Sequence, residues 1–283
     1  MSARDVRAFL ARHELLARRD LGQNFLCDEG LAARLVERAG VEPDDTVIEI
    51  GTGLGILTRA LAARARRVVT IEVDAGIVRA LRAERALPES VLLVHADALR
   101  FDFEALLADC APPVRLVANL PYSISAPLLR RVLDLRARLS DWSVMLQREV
   151  AARLLAAPGG RDYGSLAVLH RLCVELGKEL ALAPGCFFPV PRVRSTFVRM
   201  RPLPDGPAGA ELAEVERVVR AAFAQRRKTL VNSLRGAPLE GLPAAAELDA
   251  VLARLGIAPG ARAESLPPDR FLALARALRG GGA

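Results

Sequence analysis

Long apolar runs are missing from this chain. None approaches the roughly 20 residues that a membrane-spanning helix needs, and the first residues carry charges where a secretory leader would have an apolar stretch. A cytosolic protein with no membrane contact is expected. Paired cysteines are missing too. Cys27, Cys110, Cys173 and Cys186 are far apart, contain no CxxC, and make no zinc spacing with His13, His95 or His170. A disulfide framework and a metal centre are therefore both disfavoured, and the thiols are read as reduced. His95 and His170 have no partner in sequence and are read as core or surface residues, not bases. Lysine is scarce, so arginine supplies nearly all of the 40 basic residues that outnumber 33 acidic ones and leave +7. A surplus of that sign favours a polyanionic partner. Internal repeats are absent, and the only low-complexity tract is the Gly-rich tail.

What is present is organised around Val47-Ile-Glu-Ile-Gly-Thr-Gly-Leu-Gly55. Alternating apolar residues followed by glycines at every second position predict a buried strand ending in a tight turn whose backbone can approach a ligand closely. Ile56, Leu57, Ala60 and Leu61 then recur at helix spacing, so the turn delivers a helix N-terminus with its unpaired N–H groups. A nicotinamide dinucleotide fingerprint would need a third glycine where Ile56 stands, and Gly51-x-Gly53-x-Gly55 lacks it. About 20 residues on, a second apolar run ends in Glu72, the spacing of a carboxylate that accepts hydrogen bonds from ribose hydroxyls. An adenosine-containing cofactor fits both features.

The 283 residues suffice for two domains. Residues 5–19 predict a short basic amphipathic helix, and Asp28 an N-cap for a helix that ends at Gly40. From residue 47 strand and helix alternate: strands over 47–50, 68–73, 91–95, 114–118 and 143–147, with helices from about 56, 76 and 126. Near-continuous apolar strands in this alternation predict a mostly parallel sheet covered on both faces, an α/β fold that gathers ligands at its carboxyl edge. Gly51, Glu72, Asp97 and Asn119 each fall just after one of four successive strands. Three prolines in Arg201-Pro-Leu-Pro-Asp-Gly-Pro207 predict a linker. Beyond it, 211–235 and 246–280 show only helix periodicity. The expected division is a catalytic domain over 1–200 and a small all-helical domain over 208–283.

Asn119-Leu-Pro-Tyr122 follows the fourth of these strands directly. Pro121 removes an N–H donor and stiffens the chain, leaving the Asn119 amide oxygen and a neighbouring carbonyl as acceptors. Two acceptors and an aromatic face suit an exocyclic amine on a planar base. Such hydrogen bonds favour a pyramidal nitrogen and stabilise the positive charge that develops as it attacks an alkyl donor. Tyr122 would stack on the base.

Together with Gln23-Asn-Phe-Leu26, the Glu49 to Gly55 segment, Glu72, Asp97, Phe187-x-Pro189-x-Pro191-x-Val193-x-Ser195 and Ala222-Phe-Ala-Gln-Arg-Arg-Lys-Thr229, this tetrapeptide resembles the ribosomal RNA adenine N6,N6-dimethyltransferases. The small-subunit, kasugamycin-sensitivity branch is the nearer match. The resemblance runs through almost the whole chain in the family's order. It implies a Rossmann-like class I methyltransferase with a seven-stranded sheet, S-adenosylmethionine as cofactor, and two adjacent adenosines in a hairpin loop near the 3′ end of small-subunit (16S) rRNA as acceptors. It further implies action on small-subunit rRNA or an immature small subunit, and nothing in the sequence demands more than a monomer. Carried over by position, Asn24 and Leu26 cover the cofactor, Gly51 lies against its amino-acid moiety, Gly53 also binds the cofactor, Glu72 holds the ribose and Asp97 the adenine amine. Asn119 lies between cofactor and target amine, the Leu120 carbonyl is the second acceptor, and Phe187 packs on the adenine opposite Tyr122. Thr52, Ser123 and Arg194 stand where the family often has Pro, Asn and Asp.

A protein that works on the edge of an RNA base must extrude it and hold the phosphates around it. Arg226, Arg227 and Lys228, expected on the first helix of the C-terminal domain, are the candidate anchor. Three rival functions are a large-subunit rRNA methyltransferase of the macrolide-resistance type, a catalytically silent RNA-binding assembly factor and a nicotinamide-dependent oxidoreductase.

Overall fold

The structure is a computed structural model that describes residues 1–18, 20–237 and 245–280. In chain order its elements are α1 (Ala3–Arg12), β1 (Phe25–Leu26), α2 (Glu29–Ala39), β2 (Thr46–Ile50), α3 (Ile56–Ala62), β3 (Arg67–Glu72), α4 (Ala75–Ala83), β4 (Val91–His95), α5 (Phe103–Ala108), β5 (Val114–Asn119) and α6 (Ser125–Leu135). They continue with β6 (Asp141–Gln147), α7 (Arg148–Leu155), α8 (Ser165–Cys173), β7 (Val174–Leu182), β8 (Phe187–Phe188), β9 (Ser195–Pro202), α9 (Gly209–Phe223), α10 (Leu230–Arg235), α11 (Ala245–Arg254) and α12 (Pro268–Gly280). No described helix is long and apolar enough to cross a membrane.

Local chemistry sets many of these boundaries. Asp28 caps α2 by accepting the Leu31 N–H at 2.9 Å, and Gly40 closes that helix at φ 67°. Asp74 caps α4 through the N–H groups of Gly76 and Ile77. α1 is shorter than its periodicity predicts. Glu14 turns left-handed at φ 55° and Leu15 N–H reaches back to the Leu10 carbonyl at 2.8 Å, which ends the helix at Arg12.

The chain divides into two compact units, one of Met1–Ala151 with Gly177–Pro202, the other of Ala152–Leu176 with Leu203–Ala283. The first holds a seven-stranded sheet in the order β4-β3-β2-β5-β6-β9-β7. The pairs β4–β3, β3–β2, β2–β5 and β5–β6 are parallel and β6–β9 is antiparallel. β2 is buried at all five positions, as a strand covered on both faces must be. At the amino edge, Arg115 of β5 donates to Asp45 (2.6 Å) and Asp141 (2.5 Å), and Arg199 of β9 also donates to Asp141 (2.5 Å). These charges pin β5, β6, β9 and the entry to β2 in register. Trp142 is fully buried in β6 with its indole N–H on Met200 Sδ at 3.1 Å. A separate two-stranded ribbon, β1 with β8, pairs Phe25 with Phe188 and Leu26 with Phe187.

In the second unit α8 packs on α9 and α12. The Tyr163 hydroxyl donates to the Leu266 carbonyl at 2.9 Å, and its ring meets Phe223 edge-on at 6.0 Å, with Phe271 a further 5.6 Å along. Residues 152–176 thus lie with the C-terminal helices, whereas a boundary drawn at the prolines assigns them to the sheet. α8 packs its apolar side chains on α9 and α12, and the buried Tyr163 phenol finds its acceptor in the segment leading into α12.

Candidate active site

Every parallel strand from β4 to β5 ends at the same edge of the sheet, and a cleft opens there. Asn24, Leu26, Gly51, Gly53, Glu72, Asp97, Asn119, Leu120 and Tyr122 all line it. Those positions span almost a hundred residues of sequence, and the parallel register brings them together: Ile50 pairs with Ile71, and Glu72 with His95.

The glycines act as expected of residues without a Cβ. Gly51 has φ 83°, and a Cβ there would stand 3.5 Å from the Asn119 carbonyl oxygen, in the floor of the cleft. Gly53, at φ 52°, donates its N–H to Glu72 Oε2 at 2.9 Å. The other Glu72 oxygen accepts the Asp74 N–H at 3.0 Å. A carboxylate offers about four acceptor positions, so Glu72 is anchored with capacity to spare for hydroxyl donors. Burial raises its pKa, and the two N–H donors oppose that rise. Asp97 is less enclosed. Its Oδ1 accepts the Leu99 N–H at 2.9 Å, which holds the carboxylate at the cleft rim.

Glu49 is the residue whose weight sequence reasoning missed. It is fully buried, lines the cleft, and accepts the Thr58 and Thr70 hydroxyls on Oε2 at 2.6 Å each, while Oε1 has no partner. Burial pushes its pKa up to about 8 despite those hydroxyls, so the side chain carries a proton at neutral pH. Thr70 spends its one proton on Glu49, so the Thr52 hydroxyl, 2.7 Å away, is the donor to Thr70. Thr52 thereby ties the glycine loop to the carboxyl beneath it. One signal was available in sequence: a lone carboxylate inside an apolar strand, two residues before the first glycine.

Asn119 is held by the N-terminal segment. Its amide nitrogen donates to the Asn24 carbonyl at 3.0 Å, and Asn119 lines the cleft with its Oδ1 available as an acceptor. The Asn24 side chain in turn donates to Gly22 O at 3.2 Å, and Gln23 reaches Asp74 at 3.0 Å, so residues 22–24 form a strap across the cleft. No described donor reaches the Leu120 carbonyl. The Tyr122 hydroxyl lies 2.8 Å from Ser195 Oγ, and burial raises its pKa, so it stays a phenol.

Phe187 is not brought to the cleft. It is 1% exposed, paired with Leu26 and packed in the core, so no face of its ring is open to a base. Arg226, Arg227 and Lys228 belong to the second unit and sit in the turn between α9 and α10, not on a helix. Thr229 caps α10 and the Lys228 N–H closes on the Gln225 carbonyl at 3.0 Å, which breaks the helical run and leaves the three cations exposed. Arg226 donates to the Arg161 carbonyl at 2.6 Å. His95 lies against the backbone carbonyl of Val73 at 3.2 Å and His170 against that of Leu166 at 2.8 Å.

The family model described as ribosomal RNA adenine dimethylase matches residues 14–279. The chain is 39% identical over 280 residues to the ribosomal RNA small subunit methyltransferase A of Syntrophus aciditrophicus (strain SB), covering 96% of this chain and 98% of that one. It is 43% identical over 278 residues to the protein of the same name from Paracoccus denitrificans (strain Pd 1222), covering 96% and 95%. Among solved structures, a dimethyladenosine transferase from Plasmodium falciparum has the same fold with a TM-score of 0.74 at 24% identity, over 88% of this chain and 95% of that chain. The 23S rRNA methyltransferase ErmE superposes with a TM-score of 0.63 at 28% identity, over 90% of this chain and 100% of that chain.

Proposed function

The chain belongs to the ribosomal RNA adenine dimethylase family, and on that premise we propose that it dimethylates the N6 amines of two adjacent adenosines in the hairpin loop near the 3′ end of small-subunit (16S) rRNA. It works as a cytoplasmic monomer on the RNA of an immature small subunit. The observation that carries this reading is the Asn119 amide at the floor of the cleft, its nitrogen engaged by the Asn24 carbonyl and its oxygen left to accept.

S-adenosylmethionine, when bound, supplies a methyl group on a good leaving group. The cleft fits it: two glycines admit close approach, Glu72 and Asp97 offer acceptors for hydroxyl and amine donors, and the unpartnered Glu49 Oε1 offers one more polar contact in the wall. Asn24, Leu26, Gly51, Gly53, Glu72 and Asp97 hold the cofactor. Asn119 Oδ1 and the Leu120 carbonyl accept the two N–H bonds of the acceptor amine, which biases its lone pair out of the ring and stabilises the charge it gains. Tyr122 stacks on the extruded base, and Ser195 sets the angle of that ring. Alignment of the reacting groups does most of the work, so no side-chain base is required. Arg226, Arg227 and Lys228 bind phosphates of the substrate RNA.

Relatives at 39% and 43% identity carry small-subunit names, which favours this acceptor over a large-subunit one. Incubation with labelled S-adenosylmethionine and undermethylated small subunits, followed by mapping of the modified base, tests the reading. Label on two adjacent adenosines of the 3′ hairpin is expected, and label confined to large-subunit RNA would overturn it.

A further inference from the structure

Few large apolar side chains among the described residues face solvent, yet two of them fall within four positions: Val190 at 64% and Val193 at 42%. Single exposed hydrophobes need no explanation, whereas a cluster next to a binding site does. Both belong to the loop 189–194, which leaves β8 and enters β9. β9 runs antiparallel to β6, with Ser195 opposite Gln147, so the loop emerges at the same carboxyl edge as Asn119 and Tyr122.

Cations flank the valines along the chain. Arg192 and Arg194 are exposed, and the exposed Arg148 is brought to the base of the loop by its N–H, which donates to the Arg194 carbonyl at 2.9 Å. None of the three guanidinium groups makes a hydrogen bond or ion pair with a described residue. The loop is also coupled to the site, because Ser195 follows it directly, is buried, and meets the Tyr122 hydroxyl at 2.8 Å.

Three unneutralised cations around two apolar tips, beside a ring placed to stack on a base, match the chemistry of a nucleic acid, with its anionic backbone and apolar base faces. An extruded base leaves a gap in its stack, and proteins that distort nucleic acids fill such gaps with aliphatic side chains. We propose that the loop 189–194 is an RNA wedge: Val190 and Val193 pack on the nucleotide next to the acceptor adenosine, while Arg148, Arg192 and Arg194 hold its flanking phosphates. The inference rests on the function proposed above and adds which segment recognises the nucleotides around the acceptor.

Full-length protein is compared with Val190→Ser/Val193→Ser and with Arg192→Gln/Arg194→Gln. The RNA is the 3′ hairpin carrying 2-aminopurine beside the acceptor adenosine, and the readouts are RNA affinity, its salt dependence, the 2-aminopurine fluorescence and S-adenosylmethionine affinity. The valine pair is expected to weaken RNA binding about tenfold and to suppress the fluorescence change, with cofactor affinity unaltered. The arginine pair should flatten the salt slope by roughly one to two, from about 0.7 per phosphate contact on single strands. RNA binding, salt slope and fluorescence all equal to wild type in both variants would overturn the wedge, as would a loss of cofactor affinity equal to the loss of RNA affinity. A wild-type protein that leaves the 2-aminopurine signal of this hairpin unchanged would mark a failure of the proposed acceptor, whereas a wild-type signal that both variants retain in full marks a failure of the loop.

Discussion

Replacing Glu49 by Gln should make this protein less sensitive to pH, and the size of the effect follows from the burial of one carboxyl. In the folded chain Glu49 binds its proton with a pKa of about 8, against 4.5 for an unperturbed glutamate. Below pH 4.5 both the folded and the unfolded chain hold the proton, and the group contributes no pH dependence. Between the two values only the folded chain holds it, so unfolding releases a proton and stability falls as pH rises, by about 1.4 kcal/mol per unit. The loss is complete once pH passes the folded value, a total of about 5 kcal/mol over the window. Gln keeps an oxygen for the Thr58 and Thr70 hydroxyls but cannot titrate. The difference in stability, Glu49→Gln minus wild type, should therefore climb with pH by about 1.4 kcal/mol per unit between roughly pH 5 and 7.5. Urea titrations at four or five pH values measure it. The single tryptophan, Trp142, is fully buried in the sheet unit, so its fluorescence follows that unit alone. A flat difference across the window would refute the reasoning, because it would mean that Glu49 ionises in the fold as readily as in water.

Asn119→Ala should lower kcat by about a hundred- to a thousandfold, the usual effect of deleting one preorganised polar contact in a transition state. RNA and cofactor affinities should stay near wild type, and an equal loss of binding would show that the amide has another role. Asp141→Ala removes the carboxylate of Arg199 and leaves Arg115 with Asp45 alone, and a destabilisation of about 3–5 kcal/mol, read by Trp142 fluorescence, is expected. Arg227→Ala should reduce the salt slope of RNA binding by about one and leave cofactor affinity alone. A slope identical to wild type would remove that residue from the RNA surface.

Much of the site was legible along the chain because its parts are local. A strand followed by Gly51-x-Gly53-x-Gly55, Glu72 at the end of the next strand, Asp97 after the third and Asn119-Leu-Pro-Tyr122 after the fourth are patterns that chain neighbours specify by themselves. A parallel sheet then carries such strand ends to one edge wherever they occur, and the cleft lines itself with them. Helix caps such as Asp28 and Gly40 were readable for the same reason.

Tertiary packing decided what chain neighbours cannot encode. The direction of the Asn119 amide comes from a carbonyl 95 residues away, and the setting of Tyr122 from a hydroxyl 73 residues away. Glu49 holds a proton because every surrounding element excludes water from it, a property of the assembled core that the strand pattern does not contain. Phe187 has the motif position of a stacking ring, yet its pairing with Leu26 turns it into the core. Residues 152–176 join the C-terminal helices because Tyr163 finds its acceptor at Leu266, across 103 residues of chain. Periodicity and turn chemistry act over a few residues, whereas desolvation and long-range hydrogen bonds exist only after distant segments have met.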